Sequence, residues 1–164
     1  MKRPIVAFSL AVFAISMLLS TPLAAGNDSA SKFLFWPGAH PAKIARRFDP
    51  PTQKWLAGHR GIDLRAAPGS PVFAAAAGTI LYAGDLAGRP VISLTDAAGL
   101  RYTYEPVTPS VSVGEAVTRG QAIGVALGGH CPGGDCLHFG VKNGRDDYLD
   151  PLRLLGGTIR LYPA

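Results

Sequence analysis

Short apolar runs separated by glycine, proline, aspartate and asparagine fill most of this 164-residue chain beyond residue 59. The runs at residues 79–82 and 91–94 are typical, since each is short and lies close to turn-forming residues. No segment keeps the period of an amphipathic helix for three turns. Regularly spaced short strands with turn residues between them are typical of β-sandwiches and β-barrels. The pattern therefore predicts a mainly β fold with a barrel-like or sandwich-like core.

The first 26 residues have the organisation of an export signal. Lys2 and Arg3 form a short basic segment, residues 5–19 are apolar apart from two serines, and residues 20–26 are mostly small. The apolar run is shorter than the roughly 20 residues that span a bilayer. We therefore expect residues 1–26 to be a cleaved signal peptide, with an uncleaved membrane anchor as the alternative. The mature chain would then be secreted or extracytoplasmic and would have no stable membrane span.

The rest of the chain divides into three parts. We expect a polar leader that runs into the domain over residues 27–43, a β domain over residues 44–155 and a short tail over residues 156–164. The formal net charge of the whole chain is +5, and it falls to +3 when Lys2 and Arg3 leave with the signal segment. No cluster of lysine and arginine is present, which argues against a nucleic-acid partner.

Three residues offer the donor atoms of a zinc site. His59 and Asp63 are four residues apart, and His138 lies in a later apolar run. Two imidazoles and one carboxylate would leave one position of a tetrahedral zinc ion open for water, which is the arrangement of catalytic zinc sites. The spacing of His59 and Asp63 is a weak signal on its own, because a single histidine in a β domain is usually a hydrogen-bonded surface or core residue. The surrounding residues strengthen the signal.

Five stretches around these residues, read in order, carry a family resemblance: residues 58–64, 68–72, 77–80, 113–124 and 137–141. They resemble the lysostaphin-type (LytM-domain) zinc metallopeptidases, exported enzymes that cut the peptide stems or bridges of bacterial peptidoglycan. The resemblance covers about residues 44–155. It implies an antiparallel β core with a groove over the metal, a Zn²⁺ ion held by His59, Asp63 and His138, and peptidoglycan as the substrate.

Two positions depart from the family pattern. The family has two further histidines that assist catalysis without binding the metal, and this chain has Pro106 and Cys136 in their places. General acid–base assistance contributes roughly 10² to 10⁴ in rate, so hydrolysis should weaken unless other groups substitute. Glu105 is one candidate, although strand alternation would turn it to the face opposite from Pro106 unless the proline disturbs the strand. His130 is the other candidate, because it lies in the loop before Cys136.

The two cysteines leave two interpretations open. An even count in an exported chain favours a disulfide between Cys131 and Cys136, and the flexible loop between them could close it. Such a bond could also fold His130 over the metal site. Alternatively, a Cys136 thiolate on the same strand face as His138 would complete a closed, structural zinc site. A disulfide and a ligand role for Cys136 exclude each other.

Two functions therefore remain open for a domain of this kind. The ligand set favours a zinc-dependent endopeptidase that acts on peptidoglycan. The missing helper histidines favour a catalytically inactive domain that keeps the zinc site and binds the cell wall or regulates other cell-wall hydrolases. In both cases the protein would be associated with the cell wall outside the cytoplasm.

Overall fold

The computed structural model describes residues 33–155, which form a β structure with one short 3₁₀ helix at Pro151–Arg153. The expected signal peptide, the first part of the leader and the C-terminal tail lie outside the described residues. No helix within residues 33–155 has the length and apolar character needed to cross a membrane. The strands, numbered in chain order, are β1 (Ile44–Arg46), β2 (Ile62–Arg65), β3 (Pro71–Phe73), β4 (Gly78–Leu86), β5 (Arg89–Thr95), β6 (Leu100–Glu105), β7 (Val107–Pro109), β8 (Ala116–Val117), β9 (Ala122–Ala126), β10 (Cys136–Asn143) and β11 (Asp147–Leu149).

Most strands belong to one antiparallel sheet. Hydrogen-bonded neighbours follow the order β1-β2-β10-β6-β5-β4-β8, and β11 pairs with the second half of β10. A smaller antiparallel sheet has the order β3-β9-β7. This architecture confirms the expected mainly β, antiparallel fold. Strand β10 has β2 and β11 on one side and β6 on the other, so the backbone pairing fixes the direction of its side chains.

One face of the large sheet carries the hydrophobic core. On β10, Leu137, Phe139 and Val141 are fully buried and alternate with His138. Tyr104 on β6 pairs with Phe139, and their ring centroids are 5.3 Å apart. Complete burial of an apolar side chain of this size contributes about 1.5–3 kcal/mol. Because successive side chains of a strand point to opposite faces, His138 lies on the face away from the core.

The smaller sheet packs on the same core. Val72, Val107 and Ile123, one from each of its strands, are buried in the same cluster as the core residues of the large sheet. The backbone N–H of Ala75 donates a hydrogen bond to the hydroxyl oxygen of Tyr104 (2.9 Å). Burial raises the pKa of Tyr104, so the hydroxyl stays protonated. The two sheets are therefore held together by apolar packing and by a satisfied buried phenol.

The described chain before β1 also packs on the domain. Leu34 forms a parallel backbone bridge with Leu155. The backbone N–H of Phe35 donates to the carbonyl oxygen of Ala75 (2.8 Å). These backbone hydrogen bonds attach the described residues before β1 to the β structure.

Candidate metal centre

Three side chains converge on the outer face of the large sheet. Asp63 on β2 is the direct cross-strand partner of His138 on β10, so the two side chains share a face. His59 lies just before β2, where its backbone N–H and C=O both pair with Asp49. Asp63 Oδ1 lies 2.9 Å from His59 Nε2 and 2.8 Å from His138 Nδ1, and the two nitrogens are 3.1 Å apart. These three donor atoms could bind one metal ion together.

A hydrogen bond on the far side of the His59 ring determines which nitrogen can bind a metal. Its Nδ1 lies 2.7 Å from the backbone carbonyl oxygen of Arg47. A carbonyl oxygen only accepts, so Nδ1 carries the proton and donates it. Nε2 lies against Asp63 Oδ1, and a metal ion bound between the two atoms would take the place of a proton there. Two imidazoles and a carboxylate in this arrangement suit Zn²⁺.

Burial and charge act together on Asp63. The residue is only 3 % exposed, and His59 is 5 % exposed. Burial alone would raise the pKa of Asp63, but close contacts with His130 and His138 and the charges of His59 and His138 outweigh it. The pKa therefore lies well below its ordinary value. Asp63 is ionised at neutral pH, which is the state that binds a metal.

The loop between His59 and β2 passes very close to β10. A side chain at Gly61 would place its Cβ 2.6 Å from His138 Nε2 and closer still to the carbonyl oxygen of Phe139. That carbonyl belongs to a strand that is paired on both sides, so it has little freedom to move. Glycine at position 61 is therefore what allows the loop to bring His59 to Asp63 and His138.

The two cysteines form a disulfide. Cys131 and Cys136 are bonded, and their Cα atoms are 5.6 Å apart. Because the Cys136 sulfur is used in this bond, the residue does not serve as a fourth metal ligand. Cys136 is the first residue of β10 and is fully buried. The bond therefore ties the preceding loop, which carries His130, to the strand that carries His138.

His130 lies over the metal centre. Its Nε2 is 3.4 Å from Asp63 Oδ1, and its ring centroid is 5.2 Å from that of His138. The side chain is 17 % exposed, so it is covered but open to solvent on one side. Within the same loop, the backbone N–H of Gly129 donates to Asp135 Oδ1 (2.9 Å). The loop is thus closed by a hydrogen bond as well as by the disulfide, and it presents an imidazole beside the three ligand atoms.

Glu105 also lies on the metal face, and the expectation from strand alternation is wrong. Glu105 is the last residue of β6 and the direct partner of His138 across the sheet, so the two side chains share a face. Strand alternation does not relate Glu105 to Pro106, because β6 ends at Glu105 and Pro106 lies beyond it. The Glu105 carboxylate forms an ion pair with Arg89 (Oε1 to Nη1, 3.5 Å).

Two contributions to the site had no signal in the sequence. The carbonyl of Arg47 is a backbone atom, and every residue has one. Arg89 reaches Glu105 through the pairing of β5 with β6, and its side chain resembles any exposed arginine in the sequence. The path of the chain before β2 reveals the contact of the Arg47 carbonyl with His59, and the register of the sheet reveals the contact of Arg89 with Glu105.

Comparisons with known proteins agree with this fold. The sequence pattern described as "Peptidase family M23" matches residues 57–151. The uncharacterized protein Rv2891 of Mycobacterium tuberculosis is 42% identical over 167 residues, which cover 98% of this chain. The chain spans 66% of the length of that relative.

Solved structures share the architecture. The catalytic domain of the antimicrobial peptidase lysostaphin from Staphylococcus simulans aligns with a TM-score of 0.59 and 27% identity, over 69% of this chain and 91% of that chain. A zinc-containing peptidase from Vibrio cholerae has the same fold, with a TM-score of 0.61 and 24% identity over 74% of this chain and 40% of that chain. The antiparallel β fold, the convergent His–Asp–His group and the matched sequence pattern together define a metallopeptidase-type domain. The chain belongs to peptidase family M23.

Proposed function

We propose that this protein is an exported zinc-dependent endopeptidase that cleaves peptide bonds in bacterial peptidoglycan. The observation that carries the proposal is the position of His130 beside three convergent ligand atoms. A structural zinc site is closed by a fourth protein ligand. Within residues 33–155 the convergent group has three members, and Cys136, the fourth ligand considered from the sequence, is used in a disulfide.

Three residues would hold the metal. His59 Nε2, Asp63 Oδ1 and His138 Nδ1 are the donor atoms, and the Arg47 carbonyl keeps the His59 lone pair directed at the site. A bound zinc ion supplies Lewis acidity to the scissile carbonyl and makes water a nucleophile near neutral pH. The pairing of β2 with β10 positions Asp63 and His138, and the backbone pairing of His59 with Asp49 positions the third ligand.

His130 would transfer the protons of the reaction. Histidine is the side chain most often used for general acid–base catalysis. Next to Asp63, its imidazole could accept a proton from the attacking water and return it to the leaving amine. Glu105 is the second candidate for this role. Its carboxylate is paired with Arg89, so proton transfer by Glu105 would require that pair to separate.

Export is part of the proposal. Residues 1–26 would direct the chain out of the cytoplasm and be removed, and the β domain would then act at the cell wall. A disulfide supports this location, because disulfides persist in oxidising compartments and are rare in the cytosol.

A second function is favoured by one observation, the replacement of both helper histidines of the family by Pro106 and Cys136. A catalytically inactive domain would keep the groove and the metal in order to bind peptide stems or bridges, or to regulate another cell-wall hydrolase. In that case His130 would have no effect on any bond cleavage by this chain.

The test is incubation of the zinc-loaded protein with purified peptidoglycan, followed by measurement of new amino termini. We expect new termini with the wild type and none with His138→Ala. Zinc content is measured in parallel, so that loss of metal and loss of catalysis are separated. Wild-type protein that carries zinc and sediments with the wall without producing termini would favour the second function. Protein that neither cleaves nor sediments would contradict both.

A further inference from the structure

The loop before the metal centre carries an exposed tryptophan. Trp55 lies four residues before His59, and it is 80 % exposed. Every residue of the stretch 52–57 is exposed, so no apolar core holds this part of the loop. Tryptophan is highly buried on average, because its ring removes a large apolar surface from water when it packs. Packing of the domain therefore gives no reason for a tryptophan at this position.

Polar contacts hold the turn around Trp55, which we call the Trp55 turn (residues 53–56). The backbone N–H of Leu56 donates to the carbonyl oxygen of Gln53 (3.0 Å). From the other side, Arg60 Nη2 donates to both carbonyl oxygens that flank Trp55 in the chain. A surface that is fixed in advance loses little conformational freedom when a ligand binds to it. The turn therefore presents the indole in a preorganised position.

The Trp55 turn is also attached to the hairpin formed by β10 and β11. Lys54 Nζ forms an ion pair with Asp146 Oδ2 at 2.8 Å. Arg60 Cζ lies 5.7 Å from the ring centroid of Tyr148 on β11, within the range of a cation–π contact. Exposed pairs of this kind contribute little to stability one by one. Together, however, they place the turn beside the hairpin.

A surface cavity of about 500 Å³ opens between the turn and the hairpin. Small-molecule sites typically have volumes of about 300–1,000 Å³. Trp55 follows directly on one lining residue, Lys54, and so lies at the edge of the cavity. Two cations and two carboxylates line it, so their formal charges cancel and the lining suits a neutral ligand with both donors and acceptors. These four residues are Lys54, Arg60, Asp146 and Asp147.

The backbone of the loop separates this cavity from the metal centre. Arg60 directly follows the candidate ligand His59, and its carbonyl oxygen would lie 3.4 Å from a Cβ at Gly140. The chain at residue 60 therefore covers β10 two residues beyond His138. A peptide held at the metal is blocked from running along β10 into the cavity. A branched polymer could reach both places, with a peptide branch at the metal and its main chain outside the loop.

We propose that the Trp55 turn and the adjoining cavity bind N-acetylated sugars of a glycan strand. The inference rests on the proposed function, which makes peptidoglycan, a glycan strand with peptide branches, the substrate. A sugar ring has an apolar face that can stack on an indole, and its hydroxyl and amide groups both donate and accept hydrogen bonds. An N-acetylated sugar is also uncharged, in agreement with the charge balance of the cavity. The site would hold the strand while one of its peptide branches reaches the metal.

The experiment measures binding of the zinc-loaded protein by co-sedimentation with two polymers. One is chitin, a polymer of N-acetylglucosamine that carries no peptides, and the other is purified peptidoglycan. Trp55→Ala removes the ring, and Trp55→Tyr keeps an aromatic face. Val113→Ala is the matched control, because Val113 is an exposed apolar residue (62 %) in the turn between β7 and β8.

We expect Trp55→Ala to raise the Kd for chitin about tenfold, which is equivalent to about 1.4 kcal/mol. Its unfolding midpoint and zinc content should not change, because the ring is exposed and the metal ligands remain. Trp55→Tyr and Val113→Ala should bind chitin like the wild type. Wild type that does not bind chitin, or equal binding by wild type and Trp55→Ala, would overturn the sugar site. A loss by Trp55→Ala on peptidoglycan but not on chitin would assign the turn to the peptide and would also overturn it.

Cleavage is measured separately, so the sugar site and the proposed function fail in different ways. Chitin binding that depends on Trp55, without new amino termini from peptidoglycan, contradicts the enzyme and keeps the sugar site. New amino termini from a protein that does not bind chitin contradict the sugar site and keep the enzyme.

Discussion

His130 Nε2 lies 3.4 Å from Asp63 Oδ1, although one residue belongs to a glycine-rich loop and the other to a buried strand. The covalent bond between Cys131 and Cys136 connects the two elements, because Cys131 follows His130 and Cys136 begins the strand that pairs with β2. A cysteine thus replaces one helper histidine and at the same time anchors the loop that supplies another histidine.

Replacement of His130 should reduce catalysis and spare the metal. We expect His130→Gln to lower the rate of peptidoglycan cleavage about 10²-fold to 10⁴-fold, because a positioned acid–base group contributes that much. Zinc content should not change, since the three ligand residues remain. The control is His40→Gln, because His40 is an exposed residue that contacts Trp36 instead of the site. Cleavage by His130→Gln at the rate of the control would assign proton transfer to another group, with Glu105 tested next.

Loss of the disulfide should act through His130. We expect Cys131→Ser/Cys136→Ser to lower the free energy of unfolding by about 2 kcal/mol, the chain-entropy value for so short a loop. Cleavage should fall toward the rate of His130→Gln while zinc content stays the same. Adding His130→Gln to the cysteine variant should then cost little more, because both changes remove one contribution. Fully additive losses would show that the disulfide and His130 act independently.

A side chain at Gly61 should disturb the metal centre. We expect Gly61→Ala to weaken zinc affinity and to lower the unfolding midpoint, because its Cβ would meet His138 and the carbonyl of Phe139 at distances below 3.0 Å. Gly38→Ala is the control, since a Cβ there would lie 4.0 Å from its nearest neighbour, Leu137. Isothermal titration with zinc and thermal unfolding of both variants are the measurements. Equal zinc affinities for the two variants would contradict the close approach of the loop.

The low pKa of Asp63 predicts how the stability of the metal-free protein depends on pH. Because the folded-state pKa is depressed below the unfolded value of about 3.9, ionised Asp63 contributes stability above that pH and loses the contribution as the pH falls through the folded value. We expect metal-free wild type to be more stable than Asp63→Asn at about pH 5, and the difference to shrink below about pH 4. Urea unfolding across this range measures it. If the stability difference between wild type and Asp63→Asn instead grows as the pH falls, the pKa of Asp63 is raised in the folded state and the prediction is wrong.

Much of the fold could be predicted because β10 follows the simple rule of alternation. Its apolar residues Leu137, Phe139 and Val141 occupy every second position, and they form the core in the structure. The same rule places His138 on the other face, where its partner across the sheet is Asp63. Residue types and spacing alone indicate the candidate ligands only weakly, and the resemblance to the family is what singles them out.

The parts that could not be predicted depend on strand ends and loops. The face of Glu105 depends on where β6 ends, and alternation relates side chains only within one strand. The position of His130 depends on a loop with positive φ at Gly128, Gly129 and Gly133, which follows no hydrophobic period. The path of this loop is set by the disulfide and by the hydrogen bond between Gly129 and Asp135, and no hydrophobic pattern in the sequence encodes them.

The closed loop has a consequence for when the proposed enzyme becomes active. Thiols remain reduced in the cytosol, so a newly made chain there would hold the His130 loop by hydrogen bonds alone, without the covalent bond to β10. After translocation, oxidation would add that bond and fix the imidazole beside Asp63. Catalytic maturation would therefore be coupled to the destination of the protein.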